Sequence, residues 1–176
     1  MFVYFALDMK IGVLSLQGDF AAHERMLQAC DKTIQTVGVR DADELGHCDG
    51  LIIPGGESTT MSRLCDRYGL WEPLRERIQH GMPVLGTCAG LIMLSKNVDG
   101  ATKNFKQSTL GVLDVDVARN AYGAQIESFQ TNIEVPALRK AEIETAPLEV
   151  FFIRAPQIMR VGTKSKPCPA TADCRS

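Results

Sequence analysis

Short apolar runs alternating with helically spaced segments constrain this chain more than any other feature. Lys10 to Leu16, Thr33 to Val39, Gly50 to Pro54 and Met82 to Gly86 are apolar, brief and bounded by turn residues, the pattern of buried strands. Phe20 to Cys30, Ser58 to Tyr68, Trp71 to His80 and Ala89 to Lys96 carry apolar residues at helical spacing. Strand and helix in this order predict an α/β fold: an open, mostly parallel sheet flanked by helices. Ligands in such sheets bind outside the carboxyl ends of the strands. The Gly-rich turns after Pro54 and after Leu85 therefore fall on one rim.

The later half reads differently. Leu110 to Val117 and Gln125 to Val135 alternate, which predicts antiparallel or edge strands, and Leu148 to Ile153 is a further apolar strand. No internal repeat is visible, and 176 residues suit a single domain. That domain is expected over residues 9–162. Met9 directly precedes the first strand, so residues 1–8 read as an N-terminal extension. Residues 163–176 are small, polar and without period, and read as an irregular tail.

Composition removes several classes of function. Apolar residues make up 45% and charged residues 23%, a globular balance rather than that of a disordered chain. The net charge of −2 offers no basic excess for a nucleic-acid backbone. No run approaches the ~18 apolar residues of a membrane-spanning helix. The opening segment lacks a basic start and is broken by Asp8, unlike a signal peptide. The six cysteines form no C-x-x-C pair, which argues against a zinc ribbon or a disulfide scaffold and for a reducing cytoplasm.

Two motifs carry chemistry on the predicted rim. Gly86-Thr87-Cys88-Ala89-Gly90 is the thiol form of the G-x-S-x-G nucleophile elbow. Its glycines allow a tight strand-to-helix turn, its central side chain projects over the rim, and a helix N-terminus there favours thiolate. The Ala89 N–H points where an oxyanion forms. Spacing alone leaves two readings, a nucleophile or a cysteine packed in a Gly-rich turn. In Pro54-Gly55-Gly56-Glu57-Ser58-Thr59-Thr60, the glycines free backbone N–H groups, and Ser58 or Thr59 is placed to cap the next helix. A plain cap, a phosphate site and half of an oxyanion hole all fit this loop. Arg119, in Arg119-Asn120-Ala121-Tyr122-Gly123 before Gln125, and Arg154, in Phe152-Ile153-Arg154-Ala155-Pro156, stand at strand ends. Either arginine suits a carboxylate clamp or a solvated turn. Gln17-Gly18-Asp19 and His23 lie at the first strand's exit, on the same rim.

Together G-V-L-S-L-Q-G-D-F, L-I-I-P-G-G-E-S-T-T-M, V-L-G-T-C-A-G-L-I-M-L, V-A-R-N-A-Y-G and F-I-R-A-P, in this order, resemble a known family. They are similar to class I, triad-type glutamine amidotransferases, in the branch that serves as the glutaminase subunit of pyridoxal 5'-phosphate synthase. The resemblance covers Met9 to about Gly162 and implies a flavodoxin-like α/β domain that hydrolyses L-glutamine to L-glutamate and ammonia. It implies Cys88 as nucleophile and Gly56 and Ala89 as oxyanion-hole donors. Gly55, Gly56, Glu57, Ser58, Arg119, Ile153 and Arg154 would line the glutamine pocket, and Gln17 would lie at the interface with the synthase subunit of a hetero-oligomer. No cofactor and no metal are implied.

The sequence departs from that family at one point. The family completes its triad with a histidine and a glutamate in a His-Pro-Glu motif near the C-terminus. No His-Pro-Glu occurs here, and of His23, His47 and His80 none follows position 80. The expectation is an incomplete domain with a thiol nucleophile lacking its charge-relay partners, and with uncovered apolar faces. Activity is then expected to be absent or severely reduced, since a Cys–His site uses the imidazole both to draw the thiol proton and to protonate the leaving amine. Two other expectations compete with this one: a non-catalytic module that docks on the synthase subunit, and an unrelated α/β thiol protein or phosphate binder.

Overall fold

The computed structural model describes residues 9–99, 107–119, 121, 127–136 and 147–163. The expected extension at 1–8 and nearly all of the expected tail lie outside the described residues, as do Asn120, Tyr122, Gly123 and Gln125.

The first half is a parallel sheet with helices between its strands. β1 (Lys10–Leu14), β2 (Gln35–Val39), β3 (Gly50–Ile53) and β4 (Val84–Gly86) lie in the order β2-β1-β3-β4, every pairing parallel. All four residues of β3 are buried, which is why Gly50 to Ile53 reads as an unbroken apolar run rather than an alternating one. Leu14, Val39, Leu51, Ile53, Met61, Leu74 and Met93 form one continuous core between sheet and helices.

The connecting helices are set by their ends. α1 (Phe20–Cys30) is capped by Asp19, whose carboxylate accepts from the Ala22 N–H at 3.1 Å. α3 (Ser58–Tyr68) stops at Gly69, whose left-handed φ of 63° suits a residue without a β-carbon. α4 (Trp71–Gln79) follows at once, and the Trp71 indole donates to Asp66 at 2.6 Å, fixing the corner between the two helices. α5 (Ala89–Leu94) leaves β4 through the Gly86-to-Gly90 turn. A short α2 (Ala42–Gly46), capped by Asp41, precedes β3 and was not read from the sequence.

The second half corrects part of the expectation. The helix expected to run to Lys96 ends at Leu94, and Ser95–Asp99 forms β5. β6 (Leu113–Ala118) is neither an edge nor purely antiparallel. It is the middle strand of a β5-β6-β9 sheet, parallel to β5 and antiparallel to β9 (Gln157–Val161). Its alternation survives because only one of its faces packs, with Val115 and Val117 buried against Ile92. β7 (Phe129–Ile133) and β8 (Leu148–Phe152) form an antiparallel hairpin, as alternation predicts, with Phe129 and Phe152 stacked at 4.7 Å between ring centroids.

Candidate active site

The turn after β4 is an elbow with a specific source of strain. Cys88 has φ 48° and ψ −100°, a region that side-chain-bearing residues avoid. The positive φ of this turn thus falls on the cysteine, not on Gly86 or Gly90. Gly86 and Gly90 serve close approach instead. A β-carbon on Gly90 would lie 2.2 Å from the Ile53 carbonyl oxygen, and one on Gly86 would lie 2.7 Å from the Gly90 carbonyl carbon. The glycines let α5 press onto β3, and the bend that results turns the Cys88 thiol outward.

Cys88 opens onto a cavity of about 570 Å³, a volume ordinary for small-molecule sites. Gly55, Gly56, Glu57, Ser58, Arg119, Ile153 and Arg154 all line the same cavity, so elements far apart in the chain converge on the thiol. Leu91, Ile92, Ile133, Val150 and Phe152 add an apolar wall. Arg154, like Cys88, has φ 48°, so the two non-glycine residues with positive φ among the described residues both face this space. Ala89 and Gln17 do not line it. Ala89 is buried directly behind the nucleophile, and its backbone N–H acts to lower the Cys88 thiol.

The thiol itself differs from expectation. A helix N-terminus favours thiolate, yet desolvation by the cavity wall pushes the Cys88 thiol above the ordinary cysteine value, and the Ala89 N–H only partly offsets this. The sulfur stays reachable from solvent. Cys65, on the buried face of α3, is pushed up to about 12 by desolvation.

The Gly55-Gly56 loop is held from both sides. The cap of α3 is Glu57, not Ser58 or Thr59: its carboxylate accepts from the Thr59 N–H at 3.1 Å and from the Thr60 N–H at 2.6 Å. Burial alone raises the Glu57 carboxyl, but the bonds from Thr60 and Thr59 outweigh it and hold the group below the ordinary glutamate value. Gln17 Oε1 accepts from the Glu57 N–H at 2.7 Å, and a β-carbon on Gly56 would lie 2.4 Å from that same oxygen. Gly18, at φ 96°, brings the β1 exit equally close: a β-carbon there would lie 2.1 Å from the Gly55 carbonyl oxygen. The Gln17 side chain is therefore tied into the site loop.

Arg119 follows β6 and reaches back across the cavity. Its guanidinium is 3.4 Å from Glu57 Oε1 and 2.8 Å from Gln107 Oε1. Gln107 in turn accepts from the Ser58 hydroxyl at 3.2 Å. Neither the sequence motifs nor the apolar periodicity singled out Gln107. A carboxylate beside a cation at the mouth of a thiol cavity is chemically suited to an α-amino acid, whose ammonium and carboxylate are the complementary charges.

The three histidines separate by topology. His47 and His80 end α2 and α4, just before β3 and β4, and so lie at the amino ends of the strands, opposite Cys88. Their Nδ1 atoms meet the Asp43 and Glu76 carbonyls at 2.7 Å. His23, on α1, is at the site rim, with Nε2 3.3 Å from Thr87 Oγ1. No histidine among the described residues is hydrogen-bonded to the Cys88 sulfur.

Comparison with known proteins bears on the family and the fold. The model of the SNO glutamine amidotransferase family matches residues 13–169. The chain is 45% identical over 153 residues to the pyridoxal 5'-phosphate synthase subunit PdxT of Carboxydothermus hydrogenoformans, covering 87% of this chain and 74% of that protein. It is 47% identical over 154 residues to the PdxT subunit of Thermotoga maritima, covering 88% and 76%. Among solved structures, a glutamine amidotransferase superposes with a TM-score of 0.74 at 40% identity, covering 87% of this chain and 75% of the other. A putative peptidase E protein from Listeria monocytogenes, 15% identical with a TM-score of 0.51 over 60% of this chain and 63% of its own, shares the fold alone.

Proposed function

The chain belongs to the SNO glutamine amidotransferase family, and on that premise we propose that it is the glutaminase subunit of a pyridoxal 5'-phosphate synthase. Its substrate is L-glutamine, its products are L-glutamate and ammonia, and the ammonia passes to the synthase subunit of a hetero-oligomer. The observation that carries this is the convergence of Cys88, the Gly55-Gly56 loop and the Glu57–Arg119 pair on one cavity.

The chemistry follows from those positions. Glu57 and Arg119 hold the α-amino and α-carboxylate groups, and the apolar wall guides the side chain toward Cys88. The sulfur attacks the side-chain amide carbon. The developing oxyanion is received by the backbone N–H groups of Gly56 and Ala89. The carbon–nitrogen bond breaks, the thiol proton leaves with the nitrogen as ammonia, and a thioester remains. Water then cleaves the thioester, releasing glutamate and restoring the thiol.

Both proton transfers need a carrier, and the raised Cys88 thiol makes the first of them costly. Turnover is expected to be slow or absent, because no histidine among the described residues is bonded to the thiol. That same observation favours a second role, a non-catalytic module that binds the synthase subunit through Gln17 and α1, a helix with no buried residue and with Met26 exposed. We place the protein in the cytoplasm, where thiols such as Cys30 and Cys88 stay reduced. No helix among the described residues is long and apolar enough to cross a membrane.

Glutamate release measured with and without the synthase subunit tests the enzyme, and co-elution of the two proteins tests the module. Release that depends on Cys88 supports catalysis. Co-elution without release supports the docking role. Neither release nor co-elution contradicts both.

A further inference from the structure

We propose that Gln107 is a positioning residue for substrate recognition, holding the Arg119 guanidinium at the cavity wall without neutralising its charge. This rests on glutamine being the ligand of the Cys88 cavity.

The Arg119 side chain is 14% exposed, so its charge is largely withdrawn from water. Its ionic partner Glu57 is 48% exposed, stands at 3.4 Å, and already accepts three bonds from Thr59 and Thr60. The shorter contact is to Gln107, at 2.8 Å. Gln107 is itself 7% exposed. Arginine only donates, so the amide oxygen must face it. That oxygen also accepts from Ser58 at the head of α3, which leaves Nε2 buried with no hydrogen-bond partner among the described residues.

A buried amide donor without a partner is unfavourable, and that cost is offset because the amide oxygen accepts from both Arg119 and Ser58. Neutrality matters. A carboxylate at position 107 would pair with the guanidinium in a low-dielectric setting and compete with the carboxylate of the substrate. A glutamine fixes the geometry and leaves the charge available.

The test is protection of Cys88 from iodoacetamide, followed by mass spectrometry of the full chain, with L-glutamine and with its α-carboxamide analogue as protectants. The wild-type chain protects with glutamine and discriminates against the analogue, which lacks the α-carboxylate. Gln107→Met, of similar length but without a strong acceptor, weakens protection by glutamine by about tenfold, the effect of one charge-assisted hydrogen bond. Protection by the analogue stays as it was, so the discrimination collapses. Gln107→Glu keeps an acceptor toward both Ser58 and Arg119 and decides the matter if the methionine variant does not fold. Its charge competes for Arg119, and the same discrimination is lost. Either folded variant retaining the wild-type discrimination overturns the proposal. No protection of the wild-type chain by glutamine overturns the glutaminase assignment itself, and the proposal with it.

Discussion

Cys88 and Arg154 share a backbone φ of 48° and line the same cavity, one at the end of a parallel strand, the other at the end of an antiparallel hairpin. Strain of this kind persists only where surrounding contacts over-determine it. At Cys88 the contacts are the Gly86 and Gly90 packings against α5 and β3.

Cys88→Gly is therefore expected to remove the thiol and raise stability together. Relief of a positive φ contributes about 1 kcal/mol. Denaturant unfolding measures it, and a glycine variant clearly less stable than Cys88→Ala would contradict strain at the elbow.

Gly90→Ala and Gly55→Ala should behave differently. The first drives a β-carbon to 2.2 Å from the backbone oxygen of Ile53, which cannot move without disturbing β3, and the loss is expected to be about 3 kcal/mol. The second meets nothing nearer than the Cys88 β-carbon at 3.5 Å, so the fold should tolerate it. Thermal midpoints of the two variants compare them directly, and equal midpoints would refute the close-packing role of Gly90.

The alkylation rate of Cys88 should keep rising with pH to beyond the ordinary thiol range, because burial has pushed that thiol up. Peptide mapping separates it from the exposed Cys30 and from the buried, unreactive Cys65. A plateau near neutral pH would mean that an imidazole or another base draws the proton.

Glu57 should contribute acid-sensitive stability. Its folded carboxyl lies below the ordinary value, so the unfolded chain binds the proton first as pH falls. The contribution is fully present above the unfolded value and is lost as pH drops through the folded one. Glu57→Gln is expected to be less stable than wild type near about pH 7, and the gap should narrow by about pH 3. Exposure of the side chain keeps the effect modest. A gap independent of pH would assign the loss to helix capping geometry rather than to charge.

Much of the site rim was legible because its signals are local. The order of strands and helices through α5, apart from the short α2, follows from apolar spacing and from Gly-rich turns within a few residues of one another. β5 escaped because Ser95-Lys96-Asn97-Val98-Asp99 is polar and continues an apolar helix. It becomes a strand only through its pairing with β6, where Asn97 also donates to Asp116 at 2.7 Å. β9 escaped because Gln157-Ile158-Met159-Arg160-Val161 shows no clean alternation and all five residues are exposed; its Arg160 is anchored by Asp114 and Asp116 on β6. Glu57 was visible as a site residue but not as the cap of α3, since Ser58 and Thr59 beside it are the commoner capping types.

By itself the sequence determined the α/β alternation, the rim on which the cavity opens and the cysteine at the elbow, because each depends on hydrogen bonds and sterics among near neighbours. The tertiary structure alone decided that the strain sits on Cys88 and Arg154, that Gly90 exists for contact with Ile53, and that Gln107 holds Arg119. Those relationships join residues such as Ser58 and Gln107, 49 positions apart, or Glu57 and Arg119, 62 apart. Their energies depend on how whole elements stack, and no pattern within one element records that stacking.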